Sequence, residues 1–287
     1  MDLNLQEGYE ACRKIMKASG KSYYFATSLF GDVWMKRFTW ALYAFFRIPD
    51  DIVDEQLDKA PEVLDVELSD FAQSWRTALA AGTSNNAKMA AIVDTFKRCA
   101  IPAEYGESFL RSMALDIRKK QYATYTDLEE YMYGSAGTVG IMMAMVIGYE
   151  DPQAPEYAKT LGYAMQLTNF LRDIDKDYQE LGRIYMPQDE LARFNLSHAD
   201  IANRMWSEDF KAFMEFQVSR AWSLYEDGNK CLPLLNPKGR FAYKMASVLY
   251  SRILTKLAQQ DFNPFVGRAS TSFGEKLWLL LKTKVVG

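Results

Sequence analysis

The sequence predicts an all-α protein, and three observations lead to that fold class. Almost every long segment repeats its apolar residues with the 3.6-residue period of an amphipathic helix, whereas strand-like alternation is scarce. Of the 287 residues, 49% are hydrophobic and 14% aromatic, which is ample for a large core. Neither a repeat period nor a Gly/Ser-rich linker divides the chain, so we expect one helical domain over residues 1–287.

Periodicity and helix-boundary residues predict the helices of the first half. Gly20 is expected to cap the first helix, and Pro61 and Pro102 to open later ones. Pro49 falls inside an aromatic-rich helix, where a proline removes a backbone hydrogen bond and tends to introduce a kink. The predicted helices cover residues 4–19, 33–54, 61–80, 87–99 and 102–120.

Cap residues predict the helices of the second half. Thr126 and Glu129 match the S/T-x-x-E capping box, which predicts a helix continuing through the glycine run GSAGTVG to about residue 147. That run follows tyrosines on a helix rather than a strand, so it favours close approach of helices or a substrate over a nucleotide loop. Asp151-Pro152 and Asn236-Pro237 each pair a cap residue with a proline. One helix is expected to begin at residue 152 and to include residues 166–177. A short helix is expected after Gly182, and longer ones over 205–228, 238–260 and 273–284, with a loop at 262–268.

Composition excludes several classes of function. The net charge of −3 comes without a basic block, which argues against nucleic-acid binding. Cys12, Cys99 and Cys231 are isolated and predict a reducing, cytoplasmic location, and a single histidine makes a zinc site or a Ser-His-Asp triad improbable. The N-terminus does not resemble a signal peptide, and no apolar run is long enough to span a membrane.

A polar stripe on the predicted helix around residues 166–177 is unusual for a surface helix. About 100° of rotation per residue places four side chains within roughly 80° of one face: Gln166, Asn169, Asp173 and Asp177. Apolar residues flank this stripe, and hardly a lysine is interleaved with it. Such a face suits the wall of a cavity that holds metal ions better than it suits a solvated surface.

A second acidic cluster lies far upstream, in FRIPDDIVDE. Asp50, Asp51 and Asp54 fall on one side of a helix with Arg47, and Tyr43 lies one turn earlier. Like charges at this spacing repel one another unless something neutralises them. The two clusters therefore predict facing helices with divalent cations between them, although two solvated acidic turns would show the same pattern.

The residue types indicate a metal–diphosphate site. Mg²⁺ prefers oxygen ligands and is often shared between carboxylates and substrate phosphates, so two or three ions bridging a diphosphate would fit both clusters. Cations that could neutralise the remaining phosphate charge are Lys21, Arg47, Arg172 and Arg268. Arg172 lies about 100° off the stripe, which makes it the weakest of these candidates. Tyrosine side chains from residues 131, 133 and 250 could reach the cavity, and aromatic faces would attract a carbocation there.

Five segments together resemble the squalene/phytoene synthase family of head-to-head prenyl transferases. They are KSYYFA (21–26), ALYAFFRIPDDIVDE (41–55), YMYGSAGTVG (131–140), QLTNFLRDIDKDYQELGRIYMP (166–187) and the late Tyr250 and Arg268. They occur in the family's order across nearly the whole chain. The resemblance implies an all-α isoprenoid-synthase bundle with a central active-site cavity.

The resemblance also assigns roles to individual residues. It implies metal binding by Asp50, Asp51, Asp54, Asn169, Asp173 and Asp177. It implies catalytic roles for four of these aspartates, Asp50, Asp54, Asp173 and Asp177, and for Tyr131. Substrate contacts are expected from Ser22, Tyr43, Arg47, Gln166, Asn169, Tyr250 and Arg268. Pro49 departs from the commoner polar residue before the first aspartate and leaves the local helix geometry open.

The specific family member is predicted from what the sequence lacks. A dinucleotide loop and a C-terminal membrane helix, expected for many squalene synthases, are not evident. We therefore expect a Mg²⁺-dependent enzyme without NADPH that joins two farnesyl diphosphates to dehydrosqualene (4,4'-diapophytoene) in carotenoid biosynthesis. The alternatives are phytoene synthesis from two geranylgeranyl diphosphates, or a squalene synthase. Phe38, Trp40 and Phe45 are candidates to shorten the pocket.

Two other classes of function and one surface remain open. A head-to-tail prenyltransferase also carries two acidic motifs, and a non-catalytic helical protein could bind lipids or partners. The last predicted helix contains Trp278-Leu279-Leu280-Leu281 between lysines, so it either docks on the bundle or makes a peripheral membrane contact that assists product release. The oligomeric state is left open by the sequence.

Overall fold

A computed structural model describes residues 3–54 and 59–286, with side chains through residue 284. The described residues form helices without named strands, which confirms the predicted all-α class. The α-helices are α1 (Leu3–Ser19), α2 (Lys21–Ser28), α3 (Val33–Asp54), α4 (Pro61–Ala81), α5 (Ala87–Arg98), α6 (Ala103–Arg118), α7 (Tyr125–Met132), α8 (Thr138–Ile147), α9 (Ala154–Leu181), α10 (Gln188–Arg193), α11 (His198–Ala202), α12 (Glu208–Gly228), α13 (Pro237–Gln259) and α14 (Phe273–Val286). Glu55, the last residue of the predicted segment 41–55, lies outside the described residues.

Two predicted helix starts are wrong, each for a local reason, whereas α1 ends at Ser19 as predicted. Thr124, not Thr126, caps α7, because its side chain accepts a hydrogen bond from the backbone N–H of Asp127. Asp151 accepts from the N–H of Gln153 in a preceding turn, and α9 begins only at Ala154. Gly20 has a φ of −107° and precedes α2 rather than forming a left-handed cap on α1.

Other boundaries follow the sequence. The side chain of Asn236 accepts from the N–H of Lys238, and α13 starts at Pro237 as predicted. The helix α3 continues through Pro49, which is buried. Within the described chain, no helix is both long and apolar enough to cross a membrane.

Glycines allow the middle helices to pack at backbone distance. Between α7 and α8 the chain forms one π-helical turn, Tyr133–Gly137, a feature that the 3.6-residue period does not predict. A Cβ atom at Gly134 would lie 2.0 Å from the Ser112 hydroxyl, and one at Gly140 would lie 2.1 Å from the Ala158 carbonyl oxygen. The glycine run therefore brings α6, α8 and α9 together, as its helix-packing interpretation predicted.

Two large apolar clusters divide the core. One collects side chains from α1, α3, α4, α5 and α6, and the other surrounds α9 with α8, α12 and α13. The acidic end of α3 and the polar stripe of α9 belong to different clusters. The fold thus places the two predicted acidic faces where these clusters meet.

Candidate active site

The acidic end of α3 is held by arginines from two directions. Nη1 of Arg47 lies 2.8 Å from Asp50 Oδ2, and its Nε lies 2.5 Å from Asp51 Oδ1. Arg183 follows α9, is only 3% exposed, and donates from Nη1 to Asp54 Oδ1 at 2.6 Å. This last contact spans 129 residues of sequence and ties the end of α9 to the end of α3.

The second acidic face has an equally strong pair of cations. Arg172 donates to both oxygens of Asp173 at 2.9 and 2.5 Å. Arg268, from the loop before α14, donates to the same two oxygens at 2.7 and 3.0 Å. Burial alone would raise the pKa of Asp173, but these hydrogen bonds outweigh burial and lower the pKa to about 2.

Carboxylates of the two faces influence one another's pKa values. Burial, followed by the carboxylates of Asp173 and Asp54, raises the pKa of Asp177 to about 8. Burial likewise raises the pKa of Asp50 to about 7, with Asp54 as the next cause. Because Arg183, two residues after α9, binds Asp54 of α3, the acidic ends of the two helices lie close together, and metal binding between them stays a prediction.

The two amides of the stripe lie beside this cleft. Nδ2 of Asn169 donates to Gln166 Oε1 at 3.2 Å. Asn169 Oδ1 is buried and has no hydrogen-bond partner among the residues that the structure describes. An unsatisfied carbonyl oxygen costs free energy when buried, and here it lies on the same helix face as Asp173. It is a suitable oxygen ligand for a cation or a water.

A buried network behind the cleft was missed by the sequence reasoning. Asp116 on α6 is 4% exposed and accepts hydrogen bonds from the hydroxyls of Tyr131 at 2.5 Å and Tyr185 at 3.3 Å. Burial raises the pKa of Asp116 to about 6, although the charge of Arg183 opposes that rise. The network connects Tyr131 to Arg183 and, through Arg183, to Asp54.

Backbone pairing positions this network. After α9 the chain turns back along the end of α6, where the N–H of Ile184 donates to the carbonyl of Lys120 at 2.9 Å. Phe170 and Tyr185 stack with ring centroids 4.0 Å apart, and Tyr131 stacks on Tyr185 at 5.7 Å. Phe170, Asp177, Arg183 and Tyr185 then line one narrow cleft.

A second aromatic group covers the other side of the site. The ring of Tyr23 stacks on Tyr250 with centroids 4.8 Å apart and lies 6.4 Å from Tyr43. Arg47 and Asp50 both influence the pKa of Tyr43, and Tyr250 influences that of Arg172, so the group spans both acidic faces. Tyr23 was not among the predicted site residues.

The remaining predicted side chains differ in their placement. Ser22 lies half-buried in the first turn of α2, beside Tyr23, and its contact with phosphate stays a prediction. Tyr131 is 3% exposed, whereas Tyr133 is 39% exposed. Phe45 packs into the core against Trp75, Phe96 and Phe109, so it does not support the predicted shortening of the pocket.

The donor set suits a divalent cation, although the carboxylates are engaged with arginines. Within residues 3–54 and 59–286, no three or more His, Cys, Asp or Glu side chains form a group ready to hold a metal ion. Burial first, and neighbouring carboxylates second, raise the pKa values of Asp50 and Asp177, so a cation bound here would stabilise the charged form of both groups. Carboxylate oxygens together with the free Asn169 carbonyl are the ligand types that Mg²⁺ accepts.

Comparisons with known proteins agree with this geometry. Residues 16–275 match the family model described as squalene/phytoene synthase. The 15-cis-phytoene synthase of Synechococcus elongatus is 32% identical to this chain, covering 96% of it and 91% of the relative. The corresponding enzyme of Synechocystis is also 32% identical, covering 96% and 84%.

Solved structures show the same fold. A crystal structure of a dehydrosqualene synthase superposes with a TM-score of 0.90 at 29% identity, covering 98% of this chain and 97% of that one. A squalene synthase from Alicyclobacillus acidocaldarius superposes with a TM-score of 0.83 at 26% identity, covering 92% and 98%. These likenesses confirm the isoprenoid-synthase fold and the suggested relationship. The chain belongs to the squalene/phytoene synthase family of head-to-head prenyl transferases.

Proposed function

We propose that this protein joins two prenyl diphosphates head to head, in a Mg²⁺-dependent reaction that needs no nicotinamide reductant. One observation carries the proposal: acidic side chains of α3 and α9 face each other across a cleft that arginines border on both sides. Family membership supports the reaction class. Aromatic rings on two sides of the cleft supply a surface for an allylic carbocation.

The reaction proceeds in two ionisations. In the first, the C1–O bond of one substrate breaks and the diphosphate leaves with the electron pair. C1 then bonds to the double bond of the second substrate, and loss of a proton closes a cyclopropylcarbinyl diphosphate. In the second, that diphosphate leaves, the carbon skeleton rearranges, and loss of another proton gives a hydrocarbon with a central conjugated triene. Two diphosphates and two protons are released for each product.

The arginines are proposed to receive the diphosphate groups. Guanidinium groups bind phosphate oxygens through paired hydrogen bonds, as Arg172 and Arg268 now bind the carboxylate of Asp173. The side chain of Arg268 is 53% exposed, so it can turn from Asp173 to a substrate phosphate without unpacking the core. Such an exchange of partners would remove one of the two guanidinium groups that bind the Asp173 oxygens and so make room for a metal ion.

Metal ligands are proposed on both faces. Asp50, Asp51 and Asp54 on α3 and Asn169, Asp173 and Asp177 on α9 would hold the ions. When bound, Mg²⁺ neutralises charge on the diphosphate and makes it a better leaving group. Gln166 donates no hydrogen bond to Asn169 but accepts one, and so keeps the Asn169 carbonyl directed elsewhere.

Tyrosines are proposed to shape the carbocation and to position protons. Tyr131 is buried, and both burial and the neighbouring Asp116 raise its pKa well above the usual value. Its phenol therefore stays protonated and donates to Asp116. Tyr43 and Tyr250 present rings from the other side of the cleft, where Tyr23 stacks between them.

The proposed substrate is farnesyl diphosphate and the product dehydrosqualene. The dehydrosqualene synthase with a TM-score of 0.90 supports this assignment. Geranylgeranyl diphosphate, giving phytoene, is the second candidate, since the curated relatives at 32% identity are phytoene synthases. The two candidates share every step and differ in the length of prenyl chain that the pocket accepts.

Product analysis tests the proposal. Purified protein is incubated with Mg²⁺ and with farnesyl diphosphate, geranylgeranyl diphosphate or both, without NADPH. A C30 hydrocarbon with the absorption of a conjugated triene is expected, whereas a C40 hydrocarbon alone would move the assignment to phytoene. A product that forms only when isopentenyl diphosphate is added would overturn the proposal in favour of head-to-tail elongation.

A further inference from the structure

The outward face of α14 is apolar over residues 273–281. Phe273, Leu277, Trp278 and Leu281 are 69%, 41%, 54% and 65% exposed. At about 100° per residue these four side chains occupy an arc of about 140° on the helix. Large apolar side chains exposed in this concentration indicate a surface that meets another apolar phase.

The opposite face of α14 fixes the helix to the bundle. Leu279 is 7% exposed and packs with Met245 and Leu249 of α13 and Ala26 of α2. Glu275 accepts from Arg252 at 2.7 Å and from Lys256 at 2.9 Å, both on α13. The predicted docking of this helix on the bundle is what the structure shows, and it leaves the apolar arc directed outward.

Positive charge borders the apolar arc. Lys276 is only 8% exposed, but Lys282 and Lys284 are exposed, and the helix carries the single acid Glu275, whereas the whole chain has a net charge of −3. Nζ of Lys282 lies 5.2 Å from the centre of the Trp278 ring, at the edge of the arc. Because Glu275 already pairs with two cations of α13, the exposed charge of this surface is positive.

We infer that α14 docks the protein on an anionic lipid bilayer. Phe273, Leu277, Trp278 and Leu281 would insert among the acyl chains, with Lys282 and Lys284 at the headgroups. An amphipathic helix with basic flanks and a tryptophan binds a bilayer interface in this manner. The same arc is a poor contact with a second copy. A two-fold interface would bring the lysines of both copies together, where like charges repel.

The position of α14 indicates how a membrane contact could assist product release. Phe273 meets Phe25 of α2 edge-on, with ring centroids 6.5 Å apart. The same short helix α2 carries Tyr23, which stacks on Tyr250 at the proposed site. The membrane would therefore lie close to the aromatic side of the cavity, where a hydrocarbon product could pass into lipid. Docking itself does not depend on the proposed function.

Vesicle flotation without any substrate tests the inference. The wild-type protein is expected to float with phosphatidylcholine–phosphatidylglycerol vesicles and to remain behind with phosphatidylcholine alone. The double variant L277Q/L281Q should reduce flotation by about tenfold or more, because it removes two exposed apolar contacts. The matched control V66Q/L115Q changes two residues that are 59% and 45% exposed on α4 and α6, and it should float like wild type.

A second readout locates the contact. Brominated acyl chains should quench tryptophan fluorescence in the wild type, and the quenching should largely disappear in W278F. Equal flotation of L277Q/L281Q and wild type, or quenching that persists in W278F, would overturn the inference. A dimeric wild type that does not bind vesicles, together with a monomeric L277Q/L281Q variant in sedimentation, would also overturn the inference. The arc would then be a contact between two copies.

Discussion

Replacing Asp116 with asparagine is expected to weaken the hydrogen bond that anchors the Tyr131 hydroxyl without unfolding the protein. The carboxylate accepts from the hydroxyls of Tyr131 at 2.5 Å and Tyr185 at 3.3 Å, and it is 4% exposed. An asparagine of the same shape keeps one acceptor oxygen but presents an NH₂ group to the other phenol. One phenol must then lose its acceptor or reorient.

The expected cost follows from these contacts. A hydrogen bond to a charged group contributes about 1.5–3 kcal/mol, so Asp116→Asn should lower the free energy of unfolding by about 2 kcal/mol. An unfolding entropy of about 2.1 cal/mol/K per residue gives about 0.6 kcal/mol/K for the whole chain. The melting temperature should therefore fall by about 3 °C. Tyr131→Phe should cost a similar amount.

A double-mutant cycle in urea measures the coupling. Because Asp116→Asn and Tyr131→Phe disrupt the same hydrogen bond, the double variant should be about 1–2 kcal/mol more stable than the sum of the single effects predicts. Tyr122→Phe supplies a control, since its ring contacts Tyr131 with centroids 5.4 Å apart but its hydroxyl has no hydrogen-bond partner within the described structure. Additivity of Asp116→Asn and Tyr131→Phe within about 0.3 kcal/mol would refute the network.

Two further predictions concern stability. Burial alone would raise the pKa of Glu190, but hydrogen bonds from Arg220 and Gln217 outweigh burial and lower the pKa below 4.5. The ionised Glu190 carboxylate therefore stabilises the fold above about pH 4.5. The advantage of wild type over Glu190→Gln in urea should therefore shrink as the pH falls below 4.5, and a constant difference would contradict this. Gly140→Ala should lower the free energy of unfolding, measured by thermal melting, by about 2 kcal/mol, because the new Cβ would lie 2.1 Å from the Ala158 carbonyl oxygen. Gly274→Ala is the control: open space surrounds Gly274, so this variant should not destabilise the protein. Equal melting temperatures for the two alanine variants would rule out the close helix packing.

Helical periodicity was enough to predict the two acidic faces. Gln166, Asn169, Asp173 and Asp177 recur at helical spacing, and their lack of interleaved cations predicted divalent cations at this face, which stays a prediction. In the structure Arg172 and Arg268, predicted as phosphate contacts, bind Asp173. The contact of Arg268 could not be predicted because it depends on where the loop before α14 returns.

The residues that the sequence reasoning missed give weak local signals. Asp116 is one acid near the polar end of α6, and only packing against the segment after α9 shows that it is buried. In the sequence, Arg183 looks like an ordinary charged residue in a turn. Only the structure shows that its Nη1 lies 2.6 Å from Asp54 Oδ1. The π-helical turn at Tyr133–Gly137 was likewise missed, because one extra residue per turn leaves little trace in an apolar, glycine-rich stretch.

The central claim is that α3 and α9 together form one metal-dependent diphosphate site. Calorimetry with a non-reactive thiodiphosphate analogue of farnesyl diphosphate, with and without Mg²⁺, measures this most directly. Asp54→Asn and Asp177→Asn should each remove the Mg²⁺-dependent part of the binding, although they lie on different helices. Asp175→Asn is the matched control, because Asp175 pairs with Arg204 at 2.6 Å on another side of α9. Binding that is independent of Mg²⁺, or lost equally in Asp175→Asn, would contradict the account.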